Sequence, residues 1–371
     1  MRKSTIGDPG TLVVLDHTSK VLKNNPLRDA HVRKLVVWLP PQYEVEQQRR
    51  FPVLYDLVGF TGSGLAHVGW KPFGDNVPER AARLIRQRKM GPVIIVFPDC
   101  FTALGGNQYI NSSALGNYAD YLTRELIPLV DARFRTLPRR EHRGCFGKSS
   151  GGYGAILHAM KHAEYWGAVA DHSGDACFEL VYGHDWPNTL NQLAKHRRPK
   201  RRAGAYDARR EASRPGLEQG LDDGRIRRFL THVWKKEKLT AGEGHAIMNL
   251  CMAASYDPDP QAPLGFRVPF NLESGELLGP RWKKWREHDP VHLVDRYRDN
   301  LRSLKGIYLD CGWNDQYHIH YGMRMLSGRL AAAGIRHRYE EFEDDHSDID
   351  YRMDRSLPFL WRALAPRDRA R

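Results

Sequence analysis

A chain of 371 residues, 41% of them hydrophobic and 10% aromatic, can bury a large core, which excludes an intrinsically disordered protein. No apolar run approaches the ~18 residues that cross a bilayer, and no apolar stretch follows the basic N-terminus. We therefore predict neither a membrane span nor a signal peptide. The net charge of +13 raises the question of an anionic partner.

Short apolar or β-branched runs bounded by turn residues predict eight strands. These runs lie at 11–16, 31–39, 52–58, 92–98, 142–147, 167–171, 305–311 and 336–342. Apolar residues spaced three and four apart predict helices at 78–89, 115–133, 151–163, 319–333 and 350–364. This alternation indicates βαβ units and a mostly parallel sheet flanked by helices. The first two strands have no helix between them, so we expect an antiparallel start.

The alternation of strands and helices stops near residue 176 and resumes near residue 303. We therefore predict a core formed by residues 1–175 and 301–371, with residues 176–300 inserted into it. One helix is predicted inside the insertion, near 244–256. Because insertions over the carboxyl ends of strands commonly cover active sites, we expect this one to act as a lid.

The positive charge is concentrated within the insertion. Residues 195–238 contain 15 Lys or Arg and 6 Asp or Glu. Such a run is typical of a nucleic-acid or membrane-binding surface, or of a solvated surface segment. The sequence KHRRPKRR includes Pro199 and no aromatic residue on which a base could stack, which favours the solvated segment. A binding module that contacts nucleic acid through this segment stays as an alternative function.

The five cysteines are odd in number and scattered, and no two form a C-x-x-C pair. They are Cys100, Cys145, Cys177, Cys251 and Cys311. This pattern favours reduced thiols in a cytoplasmic protein over a disulfide framework or a zinc site.

The segment Gly147-Lys148-Ser149-Ser150-Gly151 matches the pattern G-x-S-x-G. The match alone is weak, because glycine and serine are common in this chain. An apolar strand precedes it and a helical pattern follows it, however, and this context favours Ser149 as a nucleophile on a strained turn. A glycine-rich turn without chemistry is the alternative, and no role for Lys148 follows from the pattern.

A serine hydroxyl needs a base, and the base needs an acid that orients it. Asp315 follows the strand 305–311, and His346 follows the strand 336–342. Both therefore lie beyond the carboxyl ends of strands, where parallel sheets place their sites. We predict Asp315 as the acid and His346 as the base. Asp310 is an alternative acid, but its place within a strand favours packing against the sheet.

Two other groups of side chains could suggest a metal site. His318 and His320 form an H-x-H pair without further ligands at a suitable spacing, so we expect them to begin a helix, with His320 lining the pocket. The second group is a run of acidic residues: Glu343, Asp344, Asp345, Asp348 and Asp350. It lacks the glycine and the spacing of a calcium loop, and we predict no metal.

The oxyanion of a tetrahedral intermediate needs preorganised donors. One is expected to be the backbone N–H of Ser150, the residue after the nucleophile. The other is expected in the loop LYDLVGFTGSG, where Gly59 allows a turn and the N–H of Phe60 follows it. The alternative is that 59–64 is only a flexible Gly/Ser loop.

Five segments together resemble the α/β-hydrolases of the "putative esterase" type. They are FPVLYDLVGFTGSG, GGNQYINSSALGNYADYLTRELIPLVD, CFGKSSGGYGA, CGWNDQYHIHYG and DDHSDIDYR. That family includes S-formylglutathione hydrolase (esterase D), enterochelin esterase-like proteins, feruloyl esterases and the mycolyltransferase antigen 85. The resemblance extends over roughly 50–175 and 303–365.

The resemblance implies an α/β-hydrolase fold, the roles given above to Ser149, Asp315 and His346, and no cofactor. It also places the loop 104–113 beside the pocket, which makes Gln108 and Asn111 pocket candidates. The resemblance transfers least to the long basic insertion. We therefore predict a serine hydrolase that cleaves a small-molecule carboxylic ester through an acyl-enzyme, with acyl transfer to an alcohol as the alternative. The sequence gives neither the substrate nor the oligomeric state.

Overall fold

The computed structural model describes residues 8–198 and 222–366, so the middle of the predicted basic segment lies outside the described residues. Ten strands occur in the described ranges. They are β1 (Thr11–Thr18), β2 (Val32–Leu39), β3 (Val53–Leu57), β4 (Ile94–Pro98), β5 (Asn111–Ser112), β6 (Gly116–Asn117), β7 (Arg143–Lys148), β8 (Ala168–His172), β9 (Gly306–Gly312) and β10 (Arg338–Phe342).

Eight of these strands form one sheet in the order β1-β2-β4-β3-β7-β8-β9-β10, while β5 and β6 form a separate hairpin. The first two pairs of the sheet, β1 with β2 and β2 with β4, are antiparallel. From β4 to β10 all neighbours are parallel. The predicted strands, the antiparallel start and the mostly parallel sheet are therefore confirmed.

Helices cover both faces of the sheet. They are α1 (Gln42–Val45), α2 (Gly64–Val68), α3 (Val77–Arg86), α4 (Tyr118–Asp120), α5 (Ile127–Arg133), α6 (Ser150–Lys161), α7 (Phe178–Val181), α8 (Trp186–Ala194), α9 (Arg225–Val233), α10 (Ala241–Tyr256), α11 (Gly279–Arg286), α12 (Pro290–Leu293), α13 (Arg298–Arg302), α14 (Ile319–Ala332) and α15 (Met353–Leu364). The helix predicted at 115–133 begins at Tyr118, and a π-helical segment, Tyr121–Leu126, joins α4 to α5.

Alternate residues of the strands enter two hydrophobic cores, one on each face of the sheet. On one face Leu54 packs with residues of α3 and α15. On the other face Tyr55 packs with residues of α6. Side chains of successive strand residues point to opposite faces, so an apolar run such as VLYDL supplies both cores. No helix in the described parts of the chain is both long and apolar enough to span a bilayer.

The segment 176–300 adds no described strand to the sheet, and β8 pairs directly with β9 on either side of it. Its helices share the core on the α6 face, where Phe178, Leu250 and Trp285 are buried with strand residues. The helix predicted near 244–256 starts earlier, at Ala241, behind a capping box formed by Thr240 and Glu243. We refer to residues 176–300 as the cover segment.

Candidate active site

Ser149 lies on the turn between β7 and α6. Its backbone has φ 57° and ψ −126°, a conformation that is strained for a residue with a side chain. Two hydrogen bonds hold it there: its N–H donates to the carbonyl of His172 at 2.9 Å, and its carbonyl accepts from Tyr153 N–H at 2.9 Å. The turn therefore carries the strain that the G-x-S-x-G pattern predicted.

The glycines on either side of this turn allow α6 to approach β3 closely. A Cβ atom added to Gly147 would lie 2.2 Å from the carbonyl oxygen of Leu57. A Cβ atom added to Gly151 would lie 1.7 Å from the same oxygen. Both distances are far below van der Waals contact, so any side chain here would push the helix off the sheet.

The predicted acid and base are hydrogen-bonded to each other. Nδ1 of His346 lies 2.8 Å from Oδ2 of Asp315, and the other carboxylate oxygen accepts from Tyr317 N–H at 2.9 Å. Asp315 is 2% exposed. The side-chain carbonyl of Gln316 accepts from the N–H of His346 at 2.9 Å, which fixes the loop that carries the imidazole. Nε2 of His346 is left for another partner.

The alternative acid, Asp310, belongs to a different network. Its Oδ1 lies 2.6 Å from Nδ1 of His172, and its Oδ2 accepts from Arg352 Nε and from the hydroxyl of Tyr308, both at 2.9 Å. The Asp310 side chain is fully buried within the sheet packing. This is the environment expected of a residue in the middle of a strand.

Ser149 and His346 both line a cavity of about 960 Å³ at the carboxyl ends of the parallel strands. No hydrogen bond joins Ser149 Oγ to His346 in the described chain. The structure thus brings the two side chains to one cavity and forms the His346–Asp315 half of the predicted triad. Hydrogen bonds between such groups are often long or absent until substrate binds.

The two predicted oxyanion donors lie beside the serine. Phe60 lines the same cavity, and a Cβ atom added to Gly59 would lie 3.5 Å from Ser149 Cβ. The loop is held in place by Gly106, where a Cβ atom would lie 2.3 Å from the Phe60 carbonyl oxygen. Neither the Phe60 nor the Ser150 N–H is used in a hydrogen bond within the described residues.

None of the three predicted pocket side chains lines the cavity. Gln108 is fully buried one layer behind it, where its amide donates to Ser150 Oγ at 2.8 Å. Asn111 lies on the β5–β6 hairpin, and its Oδ1 accepts from Asp120 N–H at 3.1 Å. His320 is buried in α14 away from the cavity. These predictions were wrong because the position of a residue in the sequence does not give the direction of its side chain.

Asp175 lines the cavity and was missed by the sequence reasoning. It is 4% exposed, and its Oδ2 accepts hydrogen bonds from the hydroxyl of Tyr182 at 2.7 Å and the amide of Gln108 at 3.5 Å. Burial raises the pKa of Asp175 to about 6. The available signal was its position three residues after β8, at the same edge of the sheet as the other site residues.

Charged side chains form one side of the cavity. Lys71 makes an ion pair with Asp350, and both residues line the cavity. Lys148, which the sequence left without a role, also lines it, and no described carboxylate lies within 4.0 Å of its ammonium group. Burial lowers the pKa of Lys148, although Asp350 and Asp348 partly oppose this. Burial also opposes protonation of His67, but the nearby Asp56 carboxylate outweighs it and raises the pKa of His67.

The cover segment forms another side of the cavity, and this side is mainly apolar. Its cavity-lining residues include Val181, Val233, Leu239, Ile247 and Met248. Trp234 also lines the cavity, and its Nε1–H donates to the carbonyl of Ala103 at 2.8 Å, which ties the cover segment to the loop after β4.

The basic residues of the cover segment that lie in the described part are mostly engaged within the protein. Arg225 is 4% exposed and pairs with Asp223 and Glu273. Lys236 pairs with Glu243 at 2.7 Å. Arg225 and Lys236 are therefore held by carboxylates of the cover segment itself.

Part of the acidic run after β10 is engaged in contacts with the protein. Besides the Lys71–Asp350 pair, Asp344 accepts from the hydroxyl of Tyr351 at 2.9 Å. Among the described residues, the group with the geometry of metal ligands is instead Glu179, Asp289 and His292. Asp289 accepts from backbone N–H groups at 2.8–3.1 Å, so it caps the start of α7 and α12. This group lies outside the cavity.

Comparison with known proteins shows which family this chain belongs to. The model of the family described as "Putative esterase" matches residues 30–354. Esterase Rv1288 of Mycobacterium tuberculosis (strain ATCC 25618 / H37Rv) is 35% identical over 98 residues, which are 25% of this chain and 20% of that relative. The match thus spans about a fifth of the relative's length.

Two solved structures share the architecture over almost their whole length. A ferulic acid esterase has a TM-score of 0.57 and 18% identity, covering 95% of this chain and 98% of the other. An S-formylglutathione hydrolase from Agrobacterium tumefaciens has a TM-score of 0.53 and 17% identity, covering 96% of each. At such identities the likeness shows the fold, which is that of the α/β-hydrolases. With the family model matching most of its length, the chain belongs to the putative esterase family.

Proposed function

We propose that this protein is a serine ester hydrolase whose catalytic triad is Ser149, His346 and Asp315. The observation that carries the proposal is the His346–Asp315 hydrogen bond of 2.8 Å at the cavity that Ser149 also lines. Family membership supports the same chemistry, because the family is one of esterases.

In the first half of the reaction, His346 Nε2 takes the proton of the Ser149 hydroxyl as Oγ attacks the ester carbonyl. Asp315 holds the imidazole in the tautomer that accepts at Nε2 and stabilises the imidazolium that forms. The N–H groups of Phe60 and Ser150 stabilise the oxyanion. The intermediate collapses when the alcohol leaves with the proton from His346, and the acyl group stays on Ser149.

In the second half, His346 removes a proton from water, and the resulting hydroxide attacks the acyl-enzyme. The acid leaves, Ser149 regains its proton, and the enzyme returns to its first state. An alcohol in place of water would make the protein an acyltransferase. Product analysis with and without glycerol or another alcohol distinguishes the two, because transfer yields a new ester at the expense of the free acid.

Two adjacent serines give a matched test of the nucleophile. Ser149→Ala removes the proposed nucleophile, and we expect kcat for p-nitrophenyl butyrate to fall by about 10⁴-fold or more. Ser150→Ala removes a side-chain hydroxyl that accepts from Gln108 but keeps the backbone N–H. We expect this control to retain activity within about tenfold. Full activity in folded Ser149→Ala would refute the mechanism.

A further inference from the structure

We propose that Asp175 binds a hydroxyl group of the substrate, so that the preferred substrates are esters carrying a hydroxyl close to the scissile carbonyl. The inference rests on the proposed function, since it names the substrate class of the same cavity. It concerns a residue that the triad mechanism does not use.

The topology brings Asp175 to the site. Strands β7, β8, β9 and β10 are successive neighbours in the sheet, and all four run parallel. The loops that follow them carry Ser149, Asp175, Asp315 and His346 in that order. Asp175 therefore follows the strand that lies between those of the proposed nucleophile and the proposed acid. A group held at this position lies next to the reacting ester.

The hydrogen bonds of Asp175 leave one oxygen for a ligand. Oδ2 accepts from Tyr182 and Gln108, while Oδ1 has no partner among the described residues. Oδ1 is nevertheless not a fully buried atom, so it is open to the cavity that Asp175 lines. The side chain as a whole is more than nine-tenths buried. The structure thus holds a hydrogen-bond acceptor in a fixed position and aims it into the cavity.

The residues behind Asp175 fix its position. Gln108 donates to Ser150 Oγ at 2.8 Å as well as to Asp175, and Tyr182 is fully packed in the core. A preorganised acceptor loses little conformational entropy when it binds a donor. A substrate hydroxyl would supply the hydrogen-bond partner that Oδ1 lacks among the described residues. The burial that raises the pKa of Asp175 to about 6 is consistent with this lack of a partner.

The surroundings favour a neutral hydroxyl over an ammonium group. Lys148 lines the same cavity without an ion-pair partner among the described residues. A cationic substrate would place a second positive charge in this cavity. Apolar neighbours such as Val181 and Met248 suit the carbon skeleton of the same molecule.

An alternative role for Asp175 would be to orient His346 in place of Asp315. The imidazole Nδ1, however, is hydrogen-bonded to Asp315, and Asp175 has no hydrogen bond to His346. In that role Asp175 would affect all esters equally. In the role of a hydroxyl acceptor it affects only the esters that carry the hydroxyl, so the two roles have different outcomes.

The experiment compares paired esters that differ by a hydroxyl. For a hydroxyl in the acyl part, the pair is p-nitrophenyl 3-hydroxybutyrate and p-nitrophenyl butyrate. For a hydroxyl in the alcohol part, the pair is 2-hydroxypropyl butyrate and propyl butyrate. We expect wild-type kcat/KM to favour the hydroxylated member of at least one pair by about 10–100-fold, as expected of a hydrogen bond to a charged acceptor.

Asp175→Asn replaces the anionic acceptor with an amide of the same shape, and we expect the preference to fall at least tenfold while activity on the plain ester persists. Asp171→Asn is the matched control. Asp171 is also a buried carboxyl, on β8, but it does not line the cavity, so the preference is expected to stay unchanged.

Two outcomes would overturn the inference. One is a wild-type preference near one in both pairs, a result that needs no variant and so does not depend on the folding of Asp175→Asn. The other is an equal loss on plain and hydroxylated esters in folded Asp175→Asn. Either result leaves the proposed function standing, because that function is tested separately by Ser149→Ala.

Discussion

The cavity has two sides built in different ways. On the sheet side, the site residues come after parallel strands, and the pairing register aligns the ends of these strands. Lys148 of β7 pairs with His172 of β8, and Phe342 of β10 pairs with Gly312 of β9. On the cover side, side chains project from helices that pack into the same core as the sheet. Backbone register therefore fixes the groups proposed for catalysis, whereas side-chain packing fixes the groups that would contact the rest of the substrate.

The largest expected effect tests the sheet side. We expect Asp315→Asn to lower kcat by about 10³–10⁴-fold, because the amide no longer holds His346 in the productive tautomer. Asp310→Asn is the control: it disturbs the buried contact with Arg352, so we expect lower stability but retained turnover in the folded fraction. Steady-state kinetics and denaturant unfolding separate the two effects. The reverse pattern would make Asp310 the acid.

The next test compares a glycine of the turn with a glycine of the cover segment. Gly151→Ala would bring a Cβ atom to 1.7 Å from the Leu57 carbonyl oxygen, and we expect the free energy of unfolding to fall by at least about 3 kcal/mol. Gly244, in α10, has nothing within 4 Å of the added atom. Gly244→Ala is expected to stabilise by up to about 1 kcal/mol. Equal effects of the two substitutions in urea unfolding would contradict the close packing of α6.

The third test uses pH. The pKa of Asp175 is about 6, above its ordinary value of 3.8, so the folded protein holds this proton more tightly than the unfolded chain does. The free energy of unfolding therefore falls as Asp175 ionises between about pH 4 and pH 6. The whole of this destabilisation remains at higher pH. We expect Asp175→Asn to be more stable than wild type near pH 8, by up to about 3 kcal/mol, and the difference to disappear below about pH 4.

Three other titratable groups near Asp175, namely His346, Asp315 and Asp171, are the same in both proteins, so their contributions largely cancel in this difference. Urea unfolding of both proteins at several pH values gives the measurement. A variant less stable than wild type near pH 8 would mean that the carboxylate is not destabilised by its burial.

The smallest effect is expected on the cover side. Trp234 is 53% exposed and is joined to the loop after β4 by one hydrogen bond. We expect Trp234→Ala to change stability by less than about 1 kcal/mol and to raise KM about two- to tenfold for bulky esters, with kcat kept. Kinetics on acetate and decanoate esters measure this. A large loss of kcat on both esters would mean that Trp234 takes part in the chemical step.

These comparisons explain how much the sequence could predict. The turn at Ser149 could be predicted because the glycine spacing and the boundary between strand and helix are local features of the sequence. Asp315 and His346 could be predicted because each follows an apolar strand, and parallel strands end at a common edge of the sheet. All eight strands of the sheet were predicted because apolar or β-branched runs bounded by turn residues are also local features.

Other features depend on packing that has no local signal. Asn111 and His320 were placed in the pocket by position, but their side chains contact Asp120 and Tyr321 instead. Asp175 was missed because a single acidic residue after a strand has no motif. The cover segment was recognised as an interruption of the alternation, yet its apolar wall and its shared core arise from helix packing, which periodicity alone does not orient.

The central claim is that Ser149 is the nucleophile, and the most direct measurement is the site of covalent modification. The protein is treated with a fluorophosphonate and digested, and the peptide containing the turn is sequenced by mass spectrometry. We predict one adduct, on Ser149, that is lost in Ser149→Ala and kept in Ser150→Ala. An adduct on Ser150 or outside this turn, or labelling that persists in Ser149→Ala, would contradict the account.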